Sequence, residues 1–162
     1  LLYEKGKGVE QNYSKALEYY QSAADKGNST AMLYLYLYSK LQTIGDSAFS
    51  YSSIEYFRIP SQVTLICHGA FYGCQQMHVI EIPNDSKLQT IDDYVFCESS
   101  IESIFIPPLI SEFDTCSLEC CDQLLIIEIS ENSMIENIYK SWFRDFDDVI
   151  LMIPVNLIDI LN

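Results

Sequence analysis

Apolar residues recur down this chain in pairs set five positions apart: Ile44 with Phe49, Ile66 with Phe71, Ile91 with Phe96, Phe113 with Leu118, and Ile138 with Phe143. Successive pairs are offset by 22, 25, 22 and 25 residues. A second position keeps step at Ile59, Ile82, Ile106, Ile129 and Ile153, and Pro60, Pro83, Pro107 and Pro154 follow four of these. A period of roughly 20–29 residues is the mark of a solenoid, in which each unit buries its apolar residues only by stacking on its neighbours. This repeat constrains the fold more than any single residue does. It also points function toward a presented surface rather than an enclosed site.

The alternation of short and long repeats doubles the period to 47, as in Ile44, Ile91 and Ile138. The long repeats carry the extra polar residues Asn84-Asp85-Ser86-Lys87 and Glu131-Asn132-Ser133-Met134. Insertions in a solenoid go to loops, so both are expected on one edge of the stack. The unit reads L-x-x-I-x-x-x-x-F, then a turn, then an apolar strand closing with I-P. Its rows are Leu41/Ile44, Val63/Ile66, Leu88/Ile91, Ile110/Phe113, Ile135/Ile138 and Leu157/Ile160. The sixth row implies a sixth repeat under way where the sequence stops. Together with Leu at position 1, it suggests a fragment of a longer array.

Strands are expected at Ile54–Ile59, Val79–Ile82, Ile101–Ile106, Leu124–Ile129 and Val149–Ile153. Period-two alternation turns two residues of each inward: Phe57 and Ile59, Ile80 and Ile82, Ile104 and Ile106, Ile127 and Ile129, Leu151 and Ile153. The intervening residues then face outward as two columns. One holds Tyr56, Val79, Ser103, Ile126 and Ile150, and the other Arg58, Glu81, Phe105, Glu128 and Met152. Aromatic, Arg and Met side chains are enriched at interface cores, so this face is the candidate protein-binding site.

Residues 1–38 do not follow the period. Ala16, Leu17, Tyr20, Ala23 and Ala24 make one face of a helix from Ser14 to Asp25. Asn12 or Ser14 can cap its start and Gly27 can end it. Asn28 or Ser29 can cap a second helix from Thr30 to about Tyr38. Small Ala16, Ala23, Ala24 and Ala31 allow close approach, with tyrosines filling the gaps, and the pair reads as an antiparallel hairpin.

Tyr3, Gly6-Lys7-Gly8-Val9, Tyr13, Lys15-Ala16, Tyr19-Tyr20, Ala23-Ala24, Gly27-Asn28, Ala31, Leu35 and Tyr38 resemble a Sel-one-like repeat, a tetratricopeptide-related helix pair. The resemblance covers residues 1–38, one repeat plus one helix of the next, with Tyr36 standing where that class usually has Gly. Gly69-Ala70-Phe71-Tyr72-Gly73-Cys74 with Val79-Ile80-Glu81-Ile82-Pro83, and Ile44-Gly45-Asp46-Ser47-Ala48-Phe49, resemble the leucine-rich repeats of the BspA-like, Treponema-type class. That likeness covers the remainder, residues 39–162, as five repeats and the start of a sixth. It weakens at Leu118 and Ser130 and further at Trp142, Phe146 and Asp148. The two resemblances imply an N-terminal helical hairpin capping a right-handed leucine-rich-repeat β-solenoid with one parallel sheet.

Composition narrows the partners. A net charge of −14 repels phosphate backbones and anionic membranes, so nucleic acid is not an expected ligand. The longest apolar run, Ala31 to Tyr38, is too short to span a bilayer. The chain carries cysteines at 67, 74, 97, 116, 120 and 121, but its histidines are His68 and His78, and no C-x-x-C pair faces a second one. Cys74 and Cys121 each lie three residues after Phe71 or Leu118, where Ser52 and Ser99 sit in other repeats. That register favours reduced structural cysteines over a metal site or a disulfide.

No phosphate-loop, nucleophile-elbow, zinc-protease or EF-hand motif occurs. Gly6-Lys7-Gly8 follows no strand, and Cys67 and His68, being adjacent on extended chain, point apart. Asp92-Asp93 and Asp145, Asp147 and Asp148 read as solvated loops rather than a Ca²⁺ site. No enzyme activity, cofactor or metal is therefore expected. The resemblances imply a scaffold or ligand-binding module with protein partners, with the cytoplasm favoured as its location. The alternatives are a cell-surface adhesin or receptor ectodomain of a microbe or parasitic protist, or the regulatory tail of a larger protein such as a kinase.

Overall fold

The structure is a computed structural model and describes residues 13–134 and 149–154. Expectations for Tyr3 to Asn12, for Ile138, Trp142, Phe143, Phe146 and the acidic residues 145–148, and for Leu157 and Ile160 lie outside the described residues.

Among the described residues two helices lead, α1 (Tyr13–Asp25) and α2 (Ser29–Lys40). Gly27 sits at φ 84°, a left-handed conformation that a Cβ would strain. Its N–H donates to Ala24 O at 2.8 Å, and the Asn28 N–H to Ala23 O at 3.0 Å, so the freed carbonyls of α1 are taken up at once. Asn28 then starts α2, its side-chain oxygen accepting from the Ala31 N–H at 2.9 Å. Buried Ala24 and Ala31 bring the helices together, and Tyr20 stacks on Tyr34 across the gap at 5.0 Å. The second helix runs to Lys40, past the Tyr38 end read from the sequence.

The coils follow as a parallel β-solenoid. The expected strands shorten to β2 (Tyr56–Arg58), β4 (Val79–Glu81), β6 (Ser103–Ile106), β8 (Ile126–Ile129) and β9 (Ile150–Met152). They form one five-stranded sheet in chain order. The expectation of a single sheet needs correction. Two-residue strands β1 (Thr43–Ile44), β3 (Leu65–Ile66), β5 (Thr90–Ile91) and β7 (Glu112–Phe113) build a second, four-stranded parallel sheet at the L-x-x-I position.

The turn between the two sheets adds a third ladder of backbone bonds. Ser47, Phe49 and Tyr51 donate N–H groups to the carbonyls of His68, Ala70 and Tyr72 in the next coil. Gly69, Phe71 and Gly73 donate likewise to Asp93, Val95 and Cys97. The residues between them close local turns, as Ala48 does to Gly45 and Tyr72 to Gly69. This alternation uses a left-handed backbone twice in each of the first three coils, at Ser47 and Tyr51, at Gly69 and Gly73, and at Tyr94 and Glu98. In the fourth, where Thr115–Leu118 forms a 3-10 turn, Cys120 alone adopts it among the described residues.

All the inward residues assigned to β2, β4, β6 and β8 are buried, while Leu151 and Ile153 are half-buried. Phe49, Phe71 and Phe96 stack down the core at 5.2 and 5.7 Å, with Phe57 tilted against the first two. Leu118 continues the column. The insertions at 84–87 and 131–134 each follow a strand of the five-stranded sheet, as expected. In both, the last residue is pinned to the preceding coil, Lys87 N–H to Ser61 O and Met134 N–H to Pro108 O, each at 2.9 Å. The helical pair meets the first coil: α1 lies against β2, and the Tyr38 hydroxyl donates to Arg58 O at 3.0 Å.

Candidate protein-binding face

The five-stranded sheet sets its outward residues by register. Tyr56 pairs with Val79, Val79 with Ser103, Ser103 with Ile126 and Ile126 with Ile150, so the first expected column is continuous. In the second, Arg58 pairs with Glu81, and Phe105 with Glu128 and onward to Met152. The β4–β6 ladder pairs Val79 with Ser103 and does not extend to Glu81 and Phe105.

The face is chemically divided. Its first two strands are tied by Arg58 Nε to Glu81 Oε1 at 3.3 Å and by the Tyr56 hydroxyl donating to Glu81 Oε2. Toward the other end it is aliphatic, with Ile150 61% and Met152 51% exposed and Leu125 beside them. Val79, 47% exposed, sits near the first end, while Phe105 and Ile126 are half-buried. An open depression of about 700 Å³ lies across the second column, lined by Arg58, Glu81, Phe105 and Glu128. Its far wall is Ile82, Pro83, Asn84 and Asp85, the start of an insertion loop that reading the strands alone did not assign to the face. The signal was available: the loop begins at Pro83, two residues after β4 ends.

The turn ladder carries a second row that the sequence reading missed. His68 Nδ1 lies 2.7 Å from Asp93 Oδ1, and this hydrogen bond raises the imidazole pKa. The His68 ring meets Tyr94 edge-on at 5.8 Å. Tyr51 meets Tyr72 the same way at 5.4 Å, and the Tyr72 hydroxyl donates to Glu98 at 2.6 Å. Beside His68, burial and the Asp46 and Asp92 carboxylates push the Cys67 thiol up, the reverse of nucleophile activation.

The cysteines keep the register read from the sequence. Ser52, Cys74, Ser99 and Cys121 share one column, with Ser52 Oγ 3.4 Å from Cys74 Sγ and Ser99 Oγ 3.7 Å from Cys121 Sγ. The Cys74 and Cys121 thiols donate to Phe49 O and Phe96 O of the preceding coil, at 3.1 and 3.0 Å. Burial pushes Cys121 up to about 11 and Cys97 up to about 12. Among the described residues no group of His, Cys, Asp and Glu is placed to hold a metal. No helix among them is long and apolar enough to cross a membrane.

The family model for the BspA type leucine rich repeat region matches residues 42–161 in six copies. The chain belongs to the BspA-type leucine-rich repeat family. Ahead of this BspA-type array, the Sel1 repeat model matches residues 1–28. The fold is similar to the crystal structure of a T. pallidum leucine rich repeat protein, with a TM-score of 0.51 and 19% sequence identity over 71% of this chain. The match spans 64% of that protein's chain, so the BspA-type array here corresponds to just under two thirds of it. A search of curated proteins finds no match. The repeat family suggests a protein-interaction or ligand-binding module.

Proposed function

We propose that the chain is a non-catalytic interaction module that binds a protein partner on the outward face of its five-stranded sheet. Residues 1–38 serve as a helical repeat that closes the start of the array, and residues 39–162 as the array itself. The observation that supports this reading is the in-register column of Tyr56, Val79, Ser103, Ile126 and Ile150, flanked by Arg58, Phe105 and Met152. A merely solvated face would carry Lys and Thr. Aromatic and Arg side chains are the usual energetic anchors of interfaces, and a few of them dominate.

The test is a triple variant, Tyr56→Ala with Arg58→Ala and Phe105→Ala, compared with the unaltered chain as bait in an extract of the source organism. Proteins identified with the unaltered chain are then purified and titrated against both. Loss of binding with an unchanged circular dichroism spectrum is the expected result. Unchanged affinity rejects the sheet face and moves the site to residues 1–38.

A further inference from the structure

We infer that the depression across β2, β4, β6 and β8 receives a lysine or arginine side chain of the partner, with an aliphatic residue next to it. This rests on the sheet-face reading and adds the partner's chemistry. The argument begins with charge. Glu81, Asp85 and Glu128 line the depression with one cation, Arg58, and that guanidinium is already held by Glu81 at 3.3 Å. Glu81 also accepts the Tyr56 hydroxyl, so its two oxygens are engaged. Asp85 and Glu128 also line the opening, and both residues are exposed.

Phe105 lines the same depression and is half-buried, so part of its side chain is open there. A cation over an aromatic face is attracted by the ring quadrupole, and nearby carboxylates add their own Coulombic attraction. The opening, at about 700 Å³, is far too wide for a bare ion, and the carboxylates are not placed as a metal cluster. A cation on a long, flexible stem fits instead, its methylenes lying along Pro83 and Phe105. Ile126, half-buried on the neighbouring column beside exposed Ile150, supplies the aliphatic seat. The overall charge of −14 steers basic partners toward the molecule and disfavours acidic ones.

The probe is a phage-displayed library of random linear peptides selected on the full chain. Enriched peptides are expected to share a Lys or Arg beside Val, Ile or Leu. A synthetic enriched peptide should lose about tenfold in affinity to the Asp85→Lys, Glu128→Lys variant, and a similar amount in about 0.5 M salt. Peptides without a basic residue, a charge-insensitive affinity, or a library that yields no binder would each overturn the inference. If such peptides still lose affinity to Phe105→Ala, the sheet-face reading stands while the inference falls. If neither the charge variant nor Phe105→Ala alters binding, both fall.

Discussion

Ser117 occupies a position where its counterparts in neighbouring coils, Ala70 and Val95, are apolar, and all three are fully buried. Its hydroxyl is the buried side-chain oxygen without a hydrogen-bond partner among the described residues. A buried, unpaired hydroxyl costs free energy with nothing gained in return. Ser117→Ala is expected to stabilise the chain by about 1 kcal/mol, read as a higher urea midpoint at unchanged slope. A lowered midpoint would mean the hydroxyl has a partner. The left-handed positions tell a related story. Gly69 and Gly73 meet this backbone demand without strain, whereas Ser47, Tyr51, Tyr94, Glu98 and Cys120 adopt it at roughly 1–2 kcal/mol each. At Gly73 an added Cβ would also lie 2.6 Å from the Tyr51 ring, so this glycine serves packing as well as φ.

At the scale of elements, the five-stranded sheet was legible because each strand carries two inward residues with one outward between them. Three alternating positions are enough to show a period of two. The second sheet was not legible, because strands such as Thr43–Ile44 and Leu65–Ile66 contribute one buried residue each and no alternation can be seen in two positions. The turn ladder left no pattern of its own, since its bonds are made by backbone groups whatever the side chains. The outward columns followed from the inward ones by subtraction. The depression did not follow, because Asp85 joins Glu128 only through stacking of coils. The phenylalanine column fixes how strongly inward and outward positions differ. Phe71 is fully buried between Phe49 and Phe96, and Phe71→Ala should cost about 3–5 kcal/mol. Glu81→Ala loses an ion pair whose side chains are 46% and 42% exposed, and should cost no more than about 1 kcal/mol. Equal urea midpoints for the two variants would contradict the inward and outward assignment.

For the molecule as a whole, stability is a sum over coils and the interfaces between them, so what covers the first coil matters to all. An uncovered sheet edge leaves backbone groups open to stray pairing. Here α1 lies against β2, and the Tyr38 hydroxyl closes on Arg58 O. Burial there pushes the Tyr38 pKa up from 10.0 to about 12, while the nearby Arg58 charge pulls the other way. The raised folded-state value means that folding favours the protonated phenol. Its contribution is present in full below pH 10 and is lost as pH rises through about 12. Ionisation also removes the donor from the bond to Arg58 O, so the junction between helices and array should loosen in the same window. Tyr38→Phe lacks both the hydrogen bond and the titration. The variant should be less stable than the unaltered chain at neutral pH, and the gap should close between pH 10 and 12 as the unaltered chain loses its advantage. pH effects common to both proteins cancel in the difference of midpoints. A gap that stays constant across this window would show that Tyr38 is not held in a half-buried, hydrogen-bonded state at the junction.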